Sequence, residues 1–403
     1  AGDEDTALSP SFVDTAILDL FFYKNRLGFL ADEDFILSET ASYFNFFRTT
    51  ITQIKDSDPV DSRATDVNVS TLRRYLEGRP RSRVIVETGA EAFWVAQIAI
   101  ECGHETRVVP STLAPSLGVG QRGLKNDQRD ARLLSESSCR MDLPSVHIPA
   151  VETRRLQSRL TMRDALVRSR TKLVNVIKAY LRTIGERAPM RYGAKWITNF
   201  HEKLAHVAPD VKPMFEALEA LDASIEKFDL ELEKLSEGNE LVRRWQTVPG
   251  VGVVTSLRYL ATLDQASRFA NGASVGSYLG LVPSEHSSGE TRRTGPITKA
   301  GSAPMRGLLV QAAWAGMRSR RHQNDPMMRW AREVARRRGK KIAVVALARK
   351  LSGILLAMWR DGTSYDPRRA AWEANELPAP PPRRLAPSKG PRRPLHLQQP
   401  VSL

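Results

Sequence analysis

Cysteine is scarce in this chain: Cys102 and Cys139 are the two among 403 residues. A disulfide framework or a four-ligand zinc cage cannot be built from them alone. Both fall in helix-like contexts and read as buried free thiols, which suits a reducing cytoplasm. Apolar runs are short, and none reaches the length of a membrane span. The first residues, AGDEDTALSP, lack the basic and apolar regions of a secretory leader. An ATP-binding motif is missing as well. Acidic residues are outnumbered, 45 Asp and Glu against 60 Lys and Arg, for a net charge of +15. A surplus of that size calls for a polyanionic partner, nucleic acid first. An anionic membrane surface is the competitor, but no basic amphipathic helix with an aromatic face stands out.

What is present is unevenly spread. Residues 1–60 hold ten of the 28 aromatic residues and only four Lys or Arg. This segment reads either as a separate piece or as the start of the sheet that follows. From residue 61 to 150 the pattern is α/β. VSTLRRYLEG reads as a helix ending at Gly78, RVIVE as a buried strand, EAFWVAQIAIECG as a helix stopping at Gly103, and TRVV as a second strand. Strands alternating with helices imply a sheet covered by helices. Residues 151–240 contain two long helical patterns, one basic and one acidic-apolar, expected as an antiparallel hairpin or a dimerising coiled coil. Residues 241–361 read as mostly helical. Residues 362–403, rich in Pro and Arg, read as a disordered tail.

Four stretches carry chemistry. Glu87 ends the strand RVIVE, at a sheet edge where sites gather in α/β folds. Asp127 and Asp130 in KNDQRDARLL lie three apart, on one face of a helix that starts near Asn126. Two acids at a helix start can simply complement its dipole. Joined to Glu87, however, they would repel one another unless a cation sat between them, and hard oxygen donors select Mg²⁺ or Mn²⁺. In a basic protein such an ion points to phosphodiester chemistry. TVPGVGVVTSLRYLA resembles the hairpin of a helix-hairpin-helix element. Gly250 and Gly252 would allow a tight turn whose free N–H groups hold a DNA phosphate, or the turn is a plain helix connection.

The fourth stretch is EHSSGETRRTGPITKAG, residues 285–301. It is nearly free of apolar side chains and sits between two well-patterned segments. One reading is a passive phosphate-binding loop built on Arg292, Arg293 and Lys299. The other is a nucleophilic serine, Ser287 or Ser288, with those cations neutralising the phosphate oxygens and Glu285, His286 or a distant carboxylate as base. Beyond it, RSRRHQNDPMMRWAREVARRRGKK is densely cationic with tryptophans nearby, which suits a nucleic-acid backbone.

Taken in order, ETGAEAF, KNDQRDARLL, the long helical middle, VPGVGVVTSLRYLA and SSGETRRTGPITKAGSAPMRGLLVQAAW resemble the DEDD-type insertion-sequence transposases of the insertion-sequence one-ten group, the RNA-guided bridge recombinases. The resemblance covers roughly residues 70–360. It implies an RNase-H-like domain with four acids, a coiled-coil linker and a helical transposase domain bearing a serine. Glu87, Asp127 and Asp130 match three of the acids, and Ser288, directly before Gly289, matches the serine that joins DNA. Double-stranded DNA, a structured guide RNA, Mg²⁺, assembly as a dimer or tetramer, and a bacterial cytoplasm around the nucleoid are implied with it. The first acid has no clean counterpart: Asp14 in SFVDTAILDL fits the pattern and Asp32 in GFLADED fits the spacing. Two rival readings are a metal-dependent junction-resolving nuclease and a nucleic-acid-binding remnant without activity.

Overall fold

A computed structural model describes residues 17–23, 26–31, 34–38, 41, 60–62, 68–113, 127–188, 192–193, 196–285 and 294–368. The chain divides into two units, Ala1–Ile148 and Pro149–Leu403.

The first unit holds two sheets. Strands β1 (Ile17–Tyr23), β2 (Arg26–Ala31), β3 (Asp34–Leu37) and β4 (Val60–Ser62) form an antiparallel meander in chain order. Ser38 pins its edge: the Leu27 N–H donates to Ser38 Oγ at 3.0 Å, and the Ser38 N–H donates back to the Leu27 carbonyl at 2.8 Å.

Helix α1 (Val69–Glu77) starts on a capping box between Asn68 and Thr71 and stops at Gly78, the expected end. Strand β5 (Arg83–Glu87), helix α2 (Ala92–Glu101) and strand β6 (Glu105–Val109) follow, with β5 and β6 parallel. Helix α3 (Asp127–Arg140) completes this part. The run Val84-Ile85-Val86 is apolar at every position because helices cover both faces. Val84 and Val86 pack with α2 residues such as Ala99 and Ala96, while Ile85 packs with Leu134 of α3. Cys102 is half-buried and Cys139 exposed. The expectation that both thiols are buried therefore fails at Cys139, because its neighbours Leu134 and Ser138 take the inward face of α3.

The second unit begins with α4 (Val151–Thr183), α5 (Trp196–Lys203) and α6 (Ala208–Glu237). Pairing of Arg163 with Asp229, Arg170 with Asp222 and Tyr180 with Asp210 runs in opposite chain directions. The two long helices are thus an antiparallel hairpin within one chain. Trp196, Phe200 and Phe215 close its far end, with the two Phe rings edge to face at 4.8 Å.

Helices α7 (Glu240–Trp245), α8 (Val253–Leu263), α9 (Gly272–Tyr278), α10 (Ala303–Arg318), α11 (Pro326–Arg338) and α12 (Lys340–Asp361) pack around one core, with strands β7 (Pro283–Glu285) and β8 (Thr294–Ile297) between α9 and α10. Buried Trp245 donates from Nε1 to the Leu355 carbonyl at 2.9 Å, and buried Tyr259 donates to Ser352 O at 2.6 Å. By length and composition α12 alone among the described helices could cross a membrane, but half of that window is buried. Leu347, Leu351 and Leu355 of α12 lie in the core.

One ion pair ties the hairpin to this core. Arg258 of α8 is 3% exposed and donates from Nη2 to Asp164 Oδ2 of α4 at 2.6 Å. Burial pulls the guanidinium below its ordinary range, and the Asp164 charge opposes that. Asp164→Ala strands a buried cation, and chemical denaturation is expected to show a loss of about 3–5 kcal/mol. The pair Asp164→Leu with Arg258→Met is expected to recover most of it.

Candidate nucleic-acid interface and carboxylate site

The serine-bearing stretch is a hairpin. Strand β7 pairs antiparallel with β8, Glu285 opposite Thr294 and Pro283 opposite Ile297. Residues 286–293, among them His286, Ser287, Ser288, Arg292 and Arg293, lie outside the described residues. The composition of 285–301 predicts a loop over most of the stretch. The structure makes Thr294–Ile297 a strand, and its exposure explains why no apolar alternation marks it.

The hairpin's base is built from backbone in contact with backbone. Lys299 donates its N–H to Gly280 O at 3.1 Å, and Thr298 donates to Val282 O at 2.9 Å. Gly280 has φ +65°, and a Cβ there would stand 2.3 Å from Ala300 N and O. Gly301 has φ +69°, and its Cβ would stand 2.0 Å from Tyr278 O. Only glycine fits such approaches. Arg306 of α10 closes the base by donating from Nη1 to Ala300 O at 2.5 Å and to Leu279 O and Gly301 O at 3.1 Å. Sequence reasoning missed Arg306. Its signal is only an arginine four residues past the helix cap Ser302, which a solvated helix face would show equally.

Lys299 is exposed and stands at this base with a left-handed backbone, φ 58°. It lies five positions after Thr294, roughly 16 Å at most along an extended chain.

The glycine turn between α7 and α8 also has a defined geometry. Gly250, φ +86°, presses on α10, where a Cβ would lie 2.1 Å from Ala312 O and 2.9 Å from Gly316 N. Gly252 caps α8 without a side-chain partner and has open space around it. The first N–H groups of α8 therefore open into a cleft of about 450 Å³, lined by Gly250, Gly252, Thr255 and Gln311 and by Arg163, Asp229 and Glu233 of the hairpin helices. Helix N-termini favour anions, yet two carboxylates share this wall. Arg163 neutralises one of them through a two-point contact with Asp229, at 2.5 and 3.2 Å.

In the first unit, Glu87 is exposed at the C-terminal end of β5. Arg83, at the other end of β5, donates to Ser138 O near the C-terminus of α3 at 2.7 Å. With Ile85 packed against Leu134, helix α3 thus runs against the strand direction. The side chains of Asp127 and Asp130 lie outside the described residues, as do Asp14 and Asp32. Among the described residues no three His, Cys, Asp or Glu side chains gather to hold a metal ion.

Similarity to known proteins falls in two parts. Residues 242–328 match the model of the IS116/IS110/IS902 transposase family. Residues 1–79 match the bacteriophage nozzle protein model. A probable family 20 transposase of Pseudomonas aeruginosa is 30% identical over 305 residues, 73% of this chain and 89% of that protein. The transposase for insertion sequence element IS1111A of Coxiella burnetii is 33% identical over 253 residues, 60% of this chain and 68% of that protein. The tail tubular protein gp12 of Escherichia phage T7 is 47% identical over 72 residues, 18% of this chain but 9% of that protein.

Two substitutions separate the glycines of the turn. Gly250→Ala is expected to cost about 2–4 kcal/mol in thermal unfolding, and Gly252→Ala less than about 1 kcal/mol. At the hairpin base, Arg306→Ala is expected to speed amide exchange at Thr298 and Lys299 by about tenfold or more, with Arg306→Lys recovering part.

Proposed function

The chain belongs to the IS116/IS110/IS902 family of transposases, and from that premise we propose that its second unit holds element-end DNA and presents Ser288 to the scissile phosphate. The hairpin base carries this reading. A nucleophile on an exposed loop needs a fixed root, and the Gly280, Gly301 and Arg306 contacts supply one.

In the proposed step the Ser288 hydroxyl loses its proton to a base and its Oγ attacks phosphorus. The bond from phosphorus to the 3′ oxygen breaks, and that oxygen takes a proton. The products are a protein–DNA ester and a free 3′ hydroxyl. Attack of a 3′ hydroxyl on the ester reverses these bonds on a new strand, so the energy of the broken bond is kept and no nucleotide cofactor is needed. Arg292 and Arg293 would neutralise the phosphate oxygens from the loop itself. Lys299, at the base, would meet the DNA backbone further along. Gly250 and Gly252 would bring the α8 N–H groups to another phosphate.

Glu87, Asp127 and Asp130 would hold Mg²⁺ or Mn²⁺ on the first unit. When bound, the ion supplies charge neutralisation at the phosphate and a lowered pKa for an attacking oxygen. Bringing a carboxylate unit to a serine loop suits a homo-oligomer in which one protomer serves another. The +15 net charge suits both double-stranded DNA and a structured guide RNA.

A second reading, a nucleic-acid binder without cleavage, is favoured by the nozzle match at residues 1–79. Ser288 is therefore tested in a hybrid whose residues 68–403 follow the N-terminal segment of the Pseudomonas aeruginosa relative. With element-end DNA, RNA transcribed from the element and Mg²⁺, the hybrid is expected to form denaturant-resistant protein–DNA adducts. Ser288→Ala is expected to remove them, by about a hundredfold or more. Cut ends that persist in Ser288→Ala would contradict the serine step and favour the carboxylate nuclease.

A further inference from the structure

Strand β5 is composed as the interior strand of a covered parallel sheet. Val84, Ile85 and Val86 are β-branched in succession, and α2 and α3 cover its two faces. Yet these three residues are only half-buried. The backbone bonds show why. The Ser82 carbonyl accepts from Glu105 N–H at 3.1 Å, and the Thr88 N–H donates to Val109 O at 2.9 Å, so even-numbered residues face β6. Alternation along a strand turns the N–H and C=O groups of Arg83, Ile85 and Glu87 to the other edge. Among the described residues no strand pairs with that edge. The far edge of β6, by contrast, is engaged: Val108 N–H donates to Ser145 Oγ and Val146 N–H to the Val108 carbonyl.

The segment available to cover β5 is committed elsewhere. Strands β1–β4 bond one another in chain order, and none of them pairs with β5. They fall within residues 1–79, the span that matches the phage nozzle model rather than the transposase model. The composition turns from aromatic-rich to arginine-rich at the same place. Packing sets the boundary between Ser62, the end of β4, and Asn68, the cap of α1. Leu72 and Leu76 of α1 pack on Ile98 and Ala99 of α2, and Arg73 bonds Glu101 at 2.5 Å. The nozzle match overruns that boundary by one helix. The packing is the better guide, because α1 is tied to α2 by both core and charge.

Resting on the reading of Ser288 above, we infer that a phage nozzle segment stands where a transposase strand would pair with β5. The chain thus joins a transposase-matching second unit to a carboxylate sheet whose β5 edge is unpaired among the described residues. Asp14 and Asp32, both in the nozzle-matching span, are not members of the acid set. The polypeptide would keep its DNA-binding surfaces, and among its described residues no strand-side acid stands beside Glu87. In a cell that also holds an intact transposase of the same element, it would occupy element ends without cutting them.

The test compares the full chain with the hybrid by hydrogen exchange and by adduct formation. Amides of Arg83, Ile85 and Glu87 are expected to exchange about tenfold or more slowly in the hybrid than in the chain. The chain is expected to bind element-end DNA within about threefold of the hybrid and to form no adduct. Adducts from the chain at the hybrid's rate would overturn the inference, as would equal protection of β5 in both. Protection in the hybrid without adducts would support the inference and count against Ser288 instead. Should the hybrid not fold, Ile36→Asp in the full chain serves, since Ile36 is 1% exposed in β3. Unfolding the meander is expected to leave β5 exchange unchanged, and faster exchange at 83, 85 and 87 would show that the meander already covers the edge.

Discussion

The site depends on a place where two stretches of main chain touch without side chains between them. At Gly280 and Gly301 any Cβ would fall within 2.3 Å of a facing backbone atom. That closeness lets a single guanidinium, Arg306, collect three carbonyl oxygens from both stretches. It also fixes the register of β7 on β8. Everything proposed for the serine loop follows from this root: a residue that must reach a DNA strand has to project from something that does not move. Gly250 repeats the device at α10, where the turn before α8 is held against Ala312 and Gly316. Both the hairpin base and the turn before α8 are thus set by glycines in left-handed backbone; Gly250 rests directly on α10, and the hairpin base is held to it through the Arg306 side chain.

Much of the fold was legible because local signals agreed. The Gly78 stop, the β-branched run at 84–86 and the two long helical patterns within 151–240 each name one element. Hairpin against coiled coil stayed open in the sequence, since both bury the same apolar stripe. The ion pairs at 163/229 and 170/222 decide it, and such pairing needs the partner helix in view. Strand β8 was illegible because both its faces are largely exposed and no alternation survives. Arg306 and Arg163 were illegible for a different reason. They act on backbone carbonyls and on a distant Asp, which leave no pattern at neighbouring positions. The meander at β1–β4 gave only its composition, rich in aromatics and poor in cations.

Electrostatics divides the molecule as composition suggested. The end of α11 and the start of α12 carry Arg336, Arg337, Arg338, Lys340 and Lys341, all exposed, with Glu333 as a local counter-charge. Arg318 stacks on Trp314 at 4.7 Å and Lys350 lies over Trp330 at 5.1 Å. A surface of this kind tracks a phosphate backbone without reading sequence. The cleft at α8 is more guarded. Asp229 and Glu233 on its wall discourage a phosphate that does not also engage Arg163, so this position would accept a backbone only in a limited set of orientations.

The account stands on one covalent bond, and mass spectrometry addresses it directly. Adducts formed by the hybrid would be digested with nuclease and protease, and the nucleotide-bearing peptide fragmented. The expected result is a nucleotide on the Ser288 oxygen with Ser287 unmodified. A nucleotide on Ser287, on another residue or on none would contradict it.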